Sequence, residues 1–249
     1  MRVVRVRSLQ QTFYAALYPD HVRPLDRHVR APESIPLGEV EFEALVKPTK
    51  VVCVGLNYHA HAQELGRELP REPLLFLKPP SSVLGTGETI RLPSQSENVH
   101  YEGELAVVMG RVCRQVSVQE APHFIFGYTC ANDVTARDLQ ERDVQYTRAK
   151  GFDTFCPLGP CIQTELNPEE GVEIRTLQNG ELRQQGRTSD MVFSPSRLIS
   201  FISAIMTLNP GDVILTGTPP GVGALQSGDR IRVEIDGPGV LENPVLASE

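Results

Sequence analysis

The sequence predicts a β-rich α+β fold with few helices, on three observations. Short β-branched and leucine-rich runs, separated by Gly, Pro and Asn turns, recur along most of the chain. Only a few segments carry helix start and stop signals. The strands do not alternate regularly with helices, which disfavours a doubly wound α/β sheet.

In chain order, Arg2-Val3-Val4-Arg5-Val6-Arg7 alternates as an exposed strand does, and Pro19, Pro24, Pro32 and Pro36 then punctuate an irregular stretch. Residues 1–46 are therefore expected to form a small N-terminal region, and 47–249 the main domain. Strands are expected at Val51–Val54, Leu74–Leu77, Leu105–Met109, Gly171–Leu177, Asp212–Thr216 and Arg230–Ile235. A helix is expected after Asn57, a good N-cap, ending near Gly66. Two longer helices are expected at Thr135–Arg148 and Pro195–Leu208. The second is opened by Ser194 with Pro195 at its first position and closed by Asn209-Pro210-Gly211.

Composition narrows the function classes. A chain of 249 residues with 40% hydrophobic content can bury a substantial core. Its net charge of -7 argues against nucleic acid or an anionic membrane as partner. The N-terminal arginines leave no apolar core for a signal peptide, and the longest apolar stretch, Leu198–Leu208, is too short to cross a bilayer. A cytoplasmic location is expected. Five cysteines, an odd number with no C-x-x-C pair, read as small buried thiols; Cys156 is the one weighed as a nucleophile. Gly217-Thr218-Pro219-Pro220-Gly221-Val222-Gly223 lacks the G-K-[ST] of a P-loop, and the segment from Gly85 lacks the third glycine of a dinucleotide fingerprint.

Two constellations carry chemistry. Val99–Met109 reads as a buried strand, on which Glu102 and Glu104, two apart, share a face. Two like charges driven against a core need a strong counter-charge, or their pKa values must rise. Asp133, ending a second apolar stretch, can supply a third oxygen. Oxygen-only ligation favours Mg²⁺ or Mn²⁺, with Ca²⁺ compatible. The plain alternative is a pair of solvated glutamates. In the second constellation, His61 and Glu64 are three apart on the expected helix and can hydrogen-bond, which fixes the imidazole tautomer and raises its basicity. The alternative is a solvent-facing pair. His59 is a rival imidazole, without a carboxylate three or four residues on.

The strings G-L-N-Y-H-A-H-A-Q-E, F-L-K-P, Y-E-G-E-L-A-V-V-M-G, G-Y-T-C-A-N-D-V-T-A-R-D-L-Q, K-G-F-D-T-F-C-P-L-G-P and L-T-G-T-P-P-G-V-G, collinear from about Lys50 onward, resemble the fumarylacetoacetate hydrolase family. The resemblance is to its small single-domain branch of acylpyruvate hydrolases, oxaloacetate decarboxylases and 2-hydroxyhepta-2,4-diene-1,7-dioate isomerases. It implies a mixed β-roll and a homodimer. It also implies a Mg²⁺ or Mn²⁺ site at Glu102, Glu104 and Asp133, a catalytic dyad at His61 and Glu64, and an active-site lysine at Lys150. Gly151 stands where many relatives carry serine.

The implied chemistry is that of 2-oxo and 2,4-dioxo acids. Three carboxylates leave about three octahedral positions open, two of which a 2-oxo acid can fill, so that the ion stabilises an enolate. Acylpyruvate C–C hydrolysis is the first expectation, with isomerisation and decarboxylation of 2-oxo acids as alternatives. Arg137 and Gln140, three apart, and Thr218 are the expected substrate-binding residues. The 66–73 segment, charged and proline-containing, is a candidate lid or a plain surface connection. The alternative from a different class is a non-catalytic protein in which the ion staples the fold or a bound acid is sensed.

Overall fold

A computed structural model describes residues 1–64 and 66–248. A 12-stranded mixed sheet forms its backbone. Its main path runs through the strands at Ile35–Pro36, His21–Pro24, Gln11–Leu17, Arg2–Ser8, Cys156–Gln163, Ile125–Asn132, Gly103–Met109, Val213–Leu215, Val51–Gly55 and Leu74–Lys78. A five-stranded sheet (181–187, 173–178, 230–235, 239–247, 90–92) and a three-stranded one (135–136, 99–101, 223–224) complete the β structure. The expected β-rich α+β class is what the chain adopts, and each of the six expected strands is present within a residue or two.

The centre of the large sheet explains itself. All seven residues of Gly103–Met109 are buried, because both faces are covered. One face packs with Val52, Leu105, Val107, Ile214 and the apolar side of helix α4 (Pro195–Ile205); the other packs with Val51, Cys53, Ala106, Val108 and Leu158. The N-terminal strands bury a cluster of their own, with Val4, Val6, Phe13, Ala15, Val22 and Ile35. They join the large sheet where Arg2 and Val3 pair with Gln163 and Ile162.

Helices depart from expectation in informative ways. The segment 135–148 is not one helix. Thr135 and Ala136 pair as a strand with His100 and Val99, and α2 (Arg137–Arg142) and α3 (Thr147–Lys150) come after it as separate turns. Between them Asp143 accepts two bonds from the Arg148 guanidinium, at 2.6 Å each, and Val144 is 93% exposed. No apolar stripe there faces a core, so propensity alone does not carry the helix through. Helix α4 has the expected Ser194 cap, which accepts from the Arg197 N–H. It ends at Ile205 rather than Leu208, because Leu208 exchanges backbone bonds with Cys113. The helix after Asn57, α1, spans His59–Glu64. Asn57 does not cap it by its side chain: its amide donates to the carbonyls of Phe193 and Thr216 and accepts from the Phe193 N–H.

The strand Cys156–Gln163 is not among the expected ones, since two prolines argue against a central strand. Pro160 falls in the register shift opposite Tyr128–Cys130, where no ladder bond is needed from it.

Candidate metal centre and active site

The strand expected at Val99–Met109 is two strands, Val99–Tyr101 in the small sheet and Gly103–Met109 in the large one, and Glu102 sits where the chain changes sheets. Gly103 pairs with Asn132 across the ladder. The Asp133 N–H donates to Glu102 O at 2.8 Å, and the Glu102 N–H donates to Asn132 Oδ1 at 2.9 Å. These backbone ties bring Glu102, Glu104 and Asp133 together, all buried, each with a carboxylate oxygen within 4.8 Å of the others.

Three cations meet these three acids. Lys150, at the end of α3 and 2% exposed, donates to Glu102 Oε2 at 2.9 Å and Asp133 Oδ2 at 2.7 Å. Its Nζ also lies 4.9 Å from the centre of the Phe76 ring. Arg137 donates to Glu102 Oε1, and to Gln140 Oε1 at 2.6 Å. Lys78, fully buried, donates to Asp133 Oδ1 at 2.5 Å and to Val134 O at 2.9 Å. Sequence reasoning did not single out Lys78. The signal available was a lysine closing the apolar strand Leu74–Lys78, in a chain with only four lysines.

The charges are not shared evenly. Burial opposes ionisation of Glu102, but Lys150 and Arg137 outweigh it and hold its carboxyl below the usual range. Burial also opposes the charge on Lys150, yet Asp133 and Glu102 keep the ammonium favoured. Glu104 has neither lysine nor arginine bonded to it and accepts from the Gly217 N–H at 2.6 Å. Burial, then the negative charges of Asp133 and Glu102, push its carboxyl well above the ordinary value. Both outcomes foreseen for two crowded glutamates therefore occur, one on each. A divalent cation among the three oxygens would relieve the repulsion at Glu104, and an all-carboxylate donor set suits a hard ion. The residues fit Mg²⁺ or Mn²⁺.

A cavity of about 140 Å³ opens over these groups, lined also by His61, Arg67, Gln140, Tyr146 and Thr218. That is close to the volume at which an engineered cavity admits benzene, so it suits a compact ligand. His61 is buried, and its Nδ1 lies 2.9 Å from Glu64 Oε2; Glu64 Oε1 accepts from the Gly221 N–H at 3.0 Å. The carboxylate assigns the ring proton to Nδ1, so Nε2 is the nitrogen left for a ligand or water. His59 is exposed and lines a different depression, with Ser189 and Asp190. Thr218 lines the cavity, and its hydroxyl donates to Gly103 O at 2.9 Å and accepts from Gln184 Nε2 at 2.8 Å. Cys156 is buried and its thiol is pushed up to about 12 by burial, which leaves no thiolate for nucleophilic attack.

Known proteins share this architecture. The family profile described as fumarylacetoacetate (FAA) hydrolase C-terminal matches residues 50–246. The oxaloacetate tautomerase YisK of Bacillus subtilis is 43% identical over 223 residues, covering 84% of this chain and 74% of that protein. A solved 5-carboxymethyl-2-hydroxymuconate delta-isomerase from Mycobacterium smegmatis is 45% identical with a TM-score of 0.91, each chain covered in full. A maleylpyruvate hydrolase from Sphingobium sp. SYK-6, solved with manganese(II) and pyruvate, is 30% identical with a TM-score of 0.82, again over the full length of both. With the profile match spanning most of the chain and these likenesses agreeing with it, the chain belongs to the fumarylacetoacetate hydrolase family.

Proposed function

We propose that this enzyme interconverts keto and enol forms of a small 2-oxo acid in a divalent-metal-dependent reaction. The observation that carries the reading is Glu104, a buried carboxylate with one hydrogen-bond donor among the described residues, beside two further carboxylates and a compact cavity. A divalent ion held by Glu102, Glu104 and Asp133 supplies Lewis-acid stabilisation of the negative charge that develops on the keto oxygen. Lys150 and Lys78 hold Asp133, Lys150 and Arg137 hold Glu102, and the Gly217 N–H holds Glu104. Lys150 also brings positive charge to the cavity where an enolate oxygen would sit. In the keto-to-enol direction His61 Nε2 takes a proton from the carbon beside the keto group and delivers it to the enolate oxygen, and in the reverse direction it carries the enol O–H proton back to that carbon, while Glu64 keeps the Nδ1–H pointing away. The tautomerase and isomerase among the relatives perform reactions of this type by their names.

C–C hydrolysis of acylpyruvates is the second reading. It is favoured by the same His61–Glu64 pair, which is built to activate water as well as carbon acids, and by likeness to a maleylpyruvate hydrolase. Decay of enol-oxaloacetate and cleavage of acetylpyruvate, each measured with Mg²⁺ or Mn²⁺ and then with chelator, separate the two. Metal-dependent tautomerisation without cleavage supports the first. His61→Ala should lower the rate by ~10²–10⁴-fold with bound metal unchanged. Full activity in that variant moves the base elsewhere. Chelation that lowers thermal stability, with no turnover before or after it, would instead favour a structural staple. Assembly as a homodimer is part of the proposal. The strand Leu74–Lys78 is a sheet edge with Leu74 and Leu77 exposed, a surface of the kind a partner covers. A solution mass near 27.5 kDa would contradict it.

A further inference from the structure

Among the described residues, seven charged groups line the cavity, and they differ in what they are already doing. Glu102, Glu104 and Asp133 form the candidate ligand set. Lys150 is bonded to two of them, and Arg137 to Glu102 and Gln140. Of the remaining two, Glu141 and Arg67, only Arg67 is a cation, and its guanidinium has no hydrogen-bond or ion-pair partner among the described residues. An arginine with five donors in a planar fork suits a carboxylate in bidentate geometry.

The position of Arg67 is set by local structure. The Gly66 N–H donates to Gln63 O at 3.0 Å and the Arg67 N–H to Ala62 O at 2.9 Å, with Gly66 at φ +62. That is the bond pattern of a Schellman turn, which needs the left-handed residue that glycine supplies. The turn fixes the Arg67 backbone one step beyond the helix that carries His61 and Glu64. The three carboxylates are buried, whereas Arg67 and Glu141 are exposed, so above an acidic floor the rim carries one cation, Arg67, and one anion, Glu141.

We infer that Arg67 selects for a second carboxylate: the substrate is a dicarboxylic 2-oxo acid whose distal acid group is held by the Arg67 guanidinium. This rests on the 2-oxo acid reading above and narrows it. A monocarboxylic substrate would leave Arg67 facing a neutral group and gain nothing from it. Arg67 is a specificity-determining residue here, and no chemical step depends on it.

The test uses the Mn²⁺-loaded enzyme and two substrates that share the 2-oxo acid head, oxaloacetate with a distal carboxylate and acetylpyruvate with a neutral acyl end. Arg67→Gln should lower kcat/KM for oxaloacetate tautomerisation by about 10- to 100-fold, mostly through KM, the usual worth of a charge-assisted hydrogen bond. Its acetylpyruvate kinetics, enolisation or cleavage, should stay within about twofold. Arg67→Lys should recover part of the oxaloacetate loss, because charge returns without the fork. Equal losses on both substrates, or none on either, overturn the inference. Calorimetric titration with 2-oxoglutarate and 2-oxobutyrate keeps it separable from the proposed activity. If the wild type turns over neither substrate but prefers 2-oxoglutarate, and Arg67→Gln removes that preference, the inference stands and the tautomerase reading falls. If the wild type binds the two acids equally, the inference fails whatever the activity.

Discussion

Asp212 and Glu104 are buried carboxylates at opposite ends of one strand pair. Val213–Leu215 runs antiparallel to Gly103–Met109, with Val213 opposite Val108 and Leu215 opposite Ala106. Asp212, just before the first, accepts five bonds. The Thr49 N–H, the Thr49 hydroxyl and the Lys50 N–H reach Oδ1 at 2.8, 2.7 and 3.2 Å; the Asn209 N–H and Lys50 Nζ reach Oδ2 at 2.8 and 2.5 Å. Burial raises its pKa, but these donors outweigh it and the carboxyl is held below its ordinary value. Glu104, near the start of the second strand, has the Gly217 N–H and two carboxylate neighbours, and its pKa is raised. Two carboxylates closed to solvent thus serve opposite ends. A carboxylate whose lone pairs are filled by the fold stabilises the fold, and one whose lone pairs are left open costs stability and is free to bind a cation.

The largest effect should come from the open end. Asp133→Ala should weaken Mg²⁺ or Mn²⁺ binding by at least ~10²-fold and remove nearly all turnover, because it takes away a candidate ligand oxygen and the shared partner of Lys78 and Lys150. Calorimetric metal titration checks this, and stoichiometric tight metal in the variant would sink the ligand assignment.

At the filled end, Asp212→Ala should destabilise the protein by about 2–4 kcal/mol in urea titrations while leaving metal affinity alone, since five donors lose their acceptor far from the cavity. A matching loss of metal affinity would show that the two ends are coupled through the strand pair.

The smallest effect has the most telling sign. Glu104→Gln, in chelator, should make the protein more stable by about 1–2 kcal/mol, because a neutral amide replaces a charge that burial disfavours. The gain should depend on pH. Glu104 titrates higher when folded, so its wild-type form is at no disadvantage below the ordinary carboxylate pKa of about 4.3 and loses stability as pH rises through the folded value. Asp212 is the reverse: its contribution is present above about pH 4 and is lost as pH falls through its lowered folded value. Calorimetry from about pH 4 to 8 should show the Glu104→Gln advantage growing and the Asp212→Ala deficit holding. An advantage independent of pH would remove the electrostatic explanation.

Periodicity and residue type settled much of this protein in advance. Alternation and β-branching located the strands at Val51–Gly55 and Gly103–Met109, and the Ser194-Pro195 pair located the start of α4, because both signals are local. The E-x-E spacing with Asp133 and the H-x-x-E spacing named groups that the fold does bring to one cavity. What only the tertiary structure decided are relations between distant segments. Lys78 lies 55 residues from Asp133, and Arg137 lies 35 from Glu102. Which carboxylate receives a cation and which is left open depends on sheet pairing and on the break at Glu102, neither of which a spacing encodes. The break of the 135–148 segment has the same origin: its local propensity is helical, but strand pairing at Thr135 and the lack of a core opposite Val144 outweigh it. Residue order determines which charges exist and their local faces, whereas their energies are set by burial and by partners that arrive from elsewhere in the chain.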